Sequence, residues 1–208
     1  MPPPTPLPAA ASASTDRQYL LERVGEAAVV QVYADAFRDL PLREKTLVWH
    51  LGQAAIAGRD IFYDQRYIHN LEMRDMLEAL VPHASAIDAD TWTAIEQYTK
   101  LFWINTGPYN NLTARKFVLG CTPEAFAEAA RAAARGGATF PLRAGETIDA
   151  LVARLEPLLF DAAVDPTVTS KTPPHGADIL AASANNLHVG VRMADLDLFR
   201  EEYPLNSR

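Results

Sequence analysis

Thr122–Gly137 reads TPEAFAEAARAAARGG, and this stretch decides the fold class. Thr122 can cap the free amides of a first helical turn, and Pro123 sits where a missing N–H does no harm. Glu124 places an acid at the positive end of the helix dipole. The alanine-rich run that follows is a helix, and Gly136-Gly137 stops it.

Helices extend outward from here in both directions. Upstream, Trp92, Ile95, Thr99 and Phe102 share one face of a helix that has Asp88 or Asp90 as its cap. Before it, one helix is predicted from about Asp60 to Leu80, ended by Pro82. Leu47, Leu51, Ala54 and Ala55 keep helical spacing after Pro41, where a first turn accepts proline, and Gly58 fits the stop. Thr15 with Gln18 three residues on forms a capping-box signature, which predicts a first helix running to about Arg38. Downstream, a helix is predicted from about Thr147 to Leu159. Beyond Phe160 the pattern changes. Asp161–Ala177 carries three prolines and no periodicity, so it reads as loop. Ile179–Ala182 and Leu187–Val191 read as short strands flanking Asn185-Asn186, and Asp195–Tyr203 as a last helix with Leu196 and Phe199 on one side.

The expected fold is therefore mainly α, a multi-helix N-terminal lobe with a small β element near the C-terminus. Residues 1–15 form a Pro/Ala-rich tail expected to be disordered, 16–160 a helical domain, and 161–208 a loop, strand and helix region. The final LNSR follows Phe199 with no closing element, so the expectation is a β-containing region cut short.

Composition narrows the function. With 49% apolar and 22% charged residues the chain has the balance of a globular protein able to bury a core. A net charge of −7 argues against nucleic acid, whose partners carry basic stripes. No apolar run approaches the about 20 residues that span a bilayer, so no membrane partner is expected. The single cysteine, Cys121, excludes an internal disulfide framework and reads as a partly buried thiol rather than a nucleophile. Ala11–Ala13 matches an A-x-A cleavage pattern, but no apolar segment precedes it. The compartment stays open: the expectation is cytoplasmic as written, and periplasmic or secreted if the true start lies upstream.

Chemistry-bearing motifs are scarce. The sequence holds no phosphate-binding glycine loop, no G-x-S-x-G elbow and no H-E-x-x-H helix. The five histidines are scattered. His69 with Glu72 supplies two possible ligands one turn apart, but a catalytic zinc takes a third. His50, beside Trp49, reads as a hydrogen-bonded packing histidine. Asn111-Leu112-Thr113 matches the N-glycosylation tripeptide, a pattern that chance supplies often.

The segment Tyr98–Val118, YTKLFWINTGPYNNLTARKFV, is unusual in another way. It crowds aromatics, three asparagines and a Gly-Pro turn into one window, with Arg115 and Lys116 at its end. Asn105, Asn110 and Asn111 offer uncharged donors and acceptors that suit the backbone of an extended peptide, and Tyr109 adds a ring and a hydroxyl. The same residues can equally scaffold a turn, since Asn, Gly and Pro supply the dihedrals a turn needs.

Two blocks resemble the dipeptidyl peptidase III family. The first is Phe37, Leu40, His50, Leu51, Ala54, Ala55 and Gly58, at the spacing of that family's F-x-x-L, H-L-x-x-A-A and glycine. The second is Asn105, Gly107, Tyr109, Lys116, Phe117 and Val118, matching N-x-G-x-Y followed by K-F-V. A third, Val168–Lys171 with Asn185–Asn206, is similar to the bacterial branch, with His188 where that branch carries an aromatic. The resemblance covers nearly all of Arg17–Arg208 in order. It implies a two-lobed, zinc-dependent exopeptidase that removes dipeptides from the N-termini of oligopeptides. In that family zinc sits in the second lobe on an H-E-x-x-G-H helix with a downstream Glu, beyond the part matched here. It follows that this chain would carry no catalytic residue, no metal ligand and no cofactor of its own, and would be inactive alone. Its partners would be oligopeptides and the missing catalytic lobe, with Asn105, Tyr109, Asn110, Asn111, Lys116 and His188 as candidate substrate contacts. The competing expectation is a free-standing helical peptide-binding or interaction module without catalysis.

Overall fold

The computed structural model of the chain describes residues 17–198. Over these residues the fold is mainly α, with a single two-stranded sheet. They divide into two compact units, with the boundary between Leu40 and Pro41.

The first unit corrects the sequence reading. The expected helix up to Arg38 is instead a β-hairpin of β1 (Leu20–Val24) and β2 (Ala27–Val30), followed by a 3-10 turn at Asp35–Asp39. Its antiparallel register runs from Val24 opposite Ala27 to Leu20 opposite Val30, with an irregularity between Leu20 and Glu22. The cause lies in Gly25 and the valines. Gly25 takes φ 57°, which opens a two-residue turn with Glu26 and breaks any helix through it. Val24, Val29 and Val30 favour extended backbone. Thr15, on which the capping-box expectation rested, lies outside the described residues, as does the rest of the 1–15 tail. Arg17 closes this unit through a 2.6 Å ion pair to Asp35 and lies over the Tyr33 ring.

The second unit holds the helices. α1 (Leu42–Ala57) starts after Pro41 and ends at Gly58, as the sequence indicates. The single helix expected over Asp60–Leu80 is two, α2 (Arg59–Arg66) and α3 (Asn70–Leu80). The break falls at Tyr67, whose backbone is extended at φ −163°, ψ 129°. Tyr67 is buried there, and its hydroxyl donates to Asp165 at 2.7 Å. Tertiary packing thus overrides the helical pattern. Pro82 does not end the run abruptly, since Val81–Ala86 continues as a 3-10 turn. α4 (Ala89–Asn105) is capped by Asp88, which accepts from the Thr91 amide. α5 (Pro123–Arg135) is capped by Thr122 and stopped by Gly136, and α6 (Ile148–Phe160) is capped by Thr147.

The core is where these four helices meet. Met73, Met76, Leu77 and Leu80 follow i, i+3, i+4, i+7 spacing and are fully buried on α3. They meet Ile95 and Phe102 of α4, Phe126, Ala130 and Ala133 of α5, and Leu151, Leu155 and Leu159 of α6. The small side chains of α5 let α6 approach closely. Arg74 of α3, 8% exposed, bonds Asp60 at 2.6 Å and Asp75 at 3.0 Å and so ties α2 to α3.

Past α6 the expected loop is present, but the expected strands are not. Ile179–Ala182 is a turn in which Asp178 accepts from the amides of Leu180 and Ala181. Leu187–Val191 is likewise turn and bend. The small sheet therefore lies at the N-terminal side of the described chain rather than near its C-terminus. Ala184 and Asn185 do pair their amides with Thr167 and Val168, so the chain is extended locally without forming a strand. The last helix, α7, spans Met193–Asp197, and Phe199–Tyr203 falls outside the described residues.

α1 contrasts with the other long helices. None of its side chains is buried. Leu42, Leu47, Val48, Trp49, Leu51 and Ile56 are all exposed, Trp49 by 60%. Leu155→Ala should lower unfolding free energy by about 2–5 kcal/mol, because a buried methylene cluster is lost and a cavity left. Leu51→Ser should change it by no more than about 0.5 kcal/mol, as for an ordinary surface site. Urea denaturation of both variants checks this. Equal losses would mean that α1 is covered in solution.

Candidate functional site

The Asn105–Val118 segment is held at its root by a buried carboxamide. α4 ends with Thr106 in the left-handed region at φ 54° and with the Gly107 amide bonded back to the Phe102 carbonyl at 2.9 Å. Gly107 itself has φ 129°, and a Cβ there would meet the Asn70 amide at 2.6 Å. Asn70 opens α3 and is fully buried. Its Nδ2 donates to the Tyr63 carbonyl at 2.9 Å and the Thr106 carbonyl at 3.1 Å. One side chain thus joins the end of α2, the start of α3 and the end of α4. The Thr106 carbonyl, just past the end of α4, gains a donor in this way, whereas the Tyr63 carbonyl also accepts the Tyr67 amide at 3.2 Å, and the Asn70 Oδ1 is buried without a partner among the described residues.

The named candidates mostly bond inward. Asn105 is buried; its Nδ2 donates to Leu101 O and its Oδ1 accepts from the Asn111 amide, both at 2.9 Å. Asn110 closes its own turn, its Oδ1 accepting from the amides of Leu112 and Thr113. Tyr109 is fully buried. Its ring meets that of Tyr67 edge-on, and its hydroxyl donates to Asp165 O at 2.9 Å. Burial raises the pKa of both tyrosines, so both stay protonated donors. Lys116 Nζ donates to the carbonyls of Asp161 and Val164, at 2.9 and 2.8 Å. Desolvation by burial lowers its pKa.

These bonds serve one end. The loop doubles back so that Tyr109 pairs with Lys116, and Arg115 in turn pairs with Thr167. Tyr67, Tyr109 and Lys116 all grip Asp161–Asp165, where Asp165 stands at φ 49°. The arrangement is a scaffold that fixes one loop to another. Two candidates stand apart from it. The exposed carboxamide of Asn111 has no hydrogen-bond partner among the described residues, and neither has the half-buried imidazole of His188. His188 is not bonded to the other five candidates.

Sequence reasoning passed over Asn70, Tyr67 and Arg66. Arg66 donates to Tyr109 O at 3.1 Å, and its Nε is buried without a partner among the described residues. An asparagine set inside an apparently continuous helical pattern was the available signal, because asparagine favours a cap over a helix interior. His50 is exposed on α1 with its ring against Trp49, and no hydrogen bond to it is found among the described residues. This differs from the hydrogen-bonded packing role the sequence suggested. His69 stands at the position before α3 without a side-chain capping bond, and burial lowers its pKa. Glu72 is directed instead to Arg154, at 2.6 Å. Among the described residues no three His, Cys, Asp or Glu side chains gather into a metal site. Cys121 is partly buried, and burial pushes its thiol pKa up.

No model of a known protein family matches this sequence, and comparison with curated proteins gives no match.

Asn70→Ala should destabilise the chain by on the order of 1–3 kcal/mol, because the Thr106 carbonyl loses its donor while the Tyr63 carbonyl keeps the Tyr67 amide. Gly107→Ala should do comparable harm through strain and overlap with Asn70, on the order of 3 kcal/mol. Asn111→Ala should stay within about 0.5 kcal/mol. Denaturant titration separates the three. A second test uses pH. Arg154, at 2.8 Å, and the Arg143 amide hold the Glu146 carboxyl down at about 2, below its ordinary 4.5. The folded state therefore binds this proton less readily than the unfolded state. Stability from this group is full above pH 4.5 and falls as pH drops toward 2. In Arg154→Met the acid-induced loss over that window should shrink, as followed by circular dichroism. An unchanged acid profile would mean that the pair contributes nothing.

Proposed function

We propose that this chain is the N-terminal, non-catalytic part of a zinc-dependent dipeptidyl peptidase that removes dipeptides from peptide N-termini. The observation that carries this is the character of α1. Past its charged first turn, Arg43-Glu44-Lys45, α1 spreads its apolar side chains over more than one face, as a helix packed inside a protein does, and none of the side chains of α1 is buried. An unpacked 16-residue helix is marginal in water. The hairpin makes the same demand, since two strands alone are barely stable and its Leu20, Leu21 and Val30 are exposed. Further polypeptide that covers these surfaces fits a peptidase whose second lobe lies elsewhere. The resemblance over Phe37–Gly58 and Asn105–Val118 supports the same reading and supplies the activity.

The described residues do not fit a zinc ion, so no step of hydrolysis is assigned to them. Their part is to form one wall of the protein and to hold the 105–118 and 161–168 loops in place. Asn111 and His188, whose side chains are not spent on internal bonds, are the candidates left to face a peptide. The second reading is a free-standing helical peptide-binding or interaction module, and it would have to bury α1 by association.

The test is to express this chain alone and also extended through the reading frame that follows it in the gene. Dipeptide release from a synthetic hexapeptide is then measured with zinc present. The extended protein should release amino-terminal dipeptides in a chelator-sensitive way, and the chain alone should not. A stop codon directly after Arg208, or an extended protein with no such activity, would overturn the proposal.

A further inference from the structure

A groove runs along one face of α4. It is lined by Asp90, Ala94, Tyr98 and Leu101 on the helix side and by Phe117, Val118 and Gly120 on the other, and encloses about 290 Å³. The helix residues recur at three- and four-residue intervals, so they form one stripe. The Tyr98 ring meets Phe117 edge-on, and a Cβ on Gly120 would lie 3.9 Å from Ala94. The 117–120 chain therefore runs antiparallel to α4. Asp90 lies beyond Gly120 at one end of the groove, and Leu101 lies beside Phe117 at the other.

The backbone of this segment alternates. The Phe117 amide bonds Pro108 O and the Leu119 amide bonds Leu159 O, both at 2.9 Å. The main-chain groups of Val118 and Gly120 have no partner among the described residues, and these two residues, not Leu119, line the groove. The amides of Phe117 and Leu119 are thus bonded inward while those of Val118 and Gly120 stay open, an arrangement that a strand edge shares although this segment is not itself a strand. Gln97 adds an exposed carboxamide with no partner among the described residues.

We propose that this groove binds an extended peptide segment by strand addition, with a basic residue toward Asp90 and an apolar residue toward Leu101 and Phe117. The proposal depends on neither the peptidase resemblance nor the exposure of α1. An extended chain is the ligand whose own N–H and C=O groups match an unpaired strand edge, and alternate side chains then enter the groove. Paired antiparallel to 117–120, such a peptide places its amino-terminal end next to Asp90. Charge complementarity there favours a cation, and the ring-lined end favours a leucine-sized side chain. The volume suits two or three residues.

The probe is acetyl-Lys-Thr-Val-Thr-Leu-amide, titrated into the full chain and followed by amide chemical shifts. Saturable shifts should centre on Val118 and Gly120, and their hydrogen exchange should slow. The same peptide N-methylated at its central valine should bind at least about tenfold more weakly, since it loses a main-chain bond and leaves its partner covered. Glu in place of the peptide Lys should weaken binding to the native chain, and Asp90→Asn should erase that preference while leaving the fold intact by circular dichroism. The inference is overturned if the N-methylated peptide binds as well, if the responding amides lie away from the groove, or if nothing saturates at millimolar peptide. Because no enzymatic readout is involved, loss of the peptidase reading leaves this result standing, and the converse also holds.

Discussion

Asn70 is the constraint on which the helical unit depends. A carboxamide at 0% exposure is costly unless it is bonded, and here its Nδ2 reaches the Tyr63 carbonyl in the last turn of α2 and the Thr106 carbonyl just past α4, while its Oδ1 has no partner among the described residues. This fixes where α2 stops, where α3 starts and how α4 turns into the polar loop. Gly107 must then be a glycine, because its Cα faces that amide at a distance that leaves no room for a side chain. From Gly107 onward the path of the loop is set, and Tyr109 falls against Tyr67. The two tyrosines and Lys116 then hold Asp161–Asp165, the turn that follows α6. A change at Asn70 should be felt through all of these.

The amide-rich loop also shows how a polar segment becomes structural. Its asparagines could bind a ligand or shape the chain, and a side chain has few lone pairs and protons for both. Asn105 uses both ends of its amide internally, and Asn110 uses its oxygen twice. Chemistry suited to a peptide backbone is applied to the protein's own backbone. The open main-chain edge at Val118 and Gly120, one step beyond the loop, is where that chemistry is not already satisfied.

Legibility in the sequence followed the range of the forces involved. Thr122 was readable as a cap, and Asp88 as one of two candidates with Asp90, because a cap is a local contact of three residues; Thr147, read only as the start of a helix, is a cap of the same kind. Ile95, Thr99 and Phe102 were readable as the inner face of α4 because burial and helical period coincide there. The hairpin was misread because capping residues at Thr15 and Gln18 outweighed a glycine turn between valines. The single helix expected over Asp60–Leu80 was misread because Tyr67 leaves it for a partner 98 residues away, which no local pattern encodes. The strands expected after Ile179 were apolar runs of strand length, but Asp178 captures the following amides in a turn. Among the site candidates, residue type alone does not distinguish a side chain spent on bonds within the loop, as at Asn105 and Asn110, from one that is not, as at Asn111.

α1 bears on the central claim, that the described helices are one part of a larger folded protein. An apolar helix with no buried side chain has little to hold it closed against solvent. The direct measurement is hydrogen exchange of Leu42–Ala57 against Ala89–Asn105 in the isolated chain, at a concentration where sedimentation shows a monomer. Exchange in α1 faster by on the order of a hundredfold is the predicted result, since its opening need not expose the core. Equal protection of the two helices in a monomer would contradict the claim and leave the chain as a complete module.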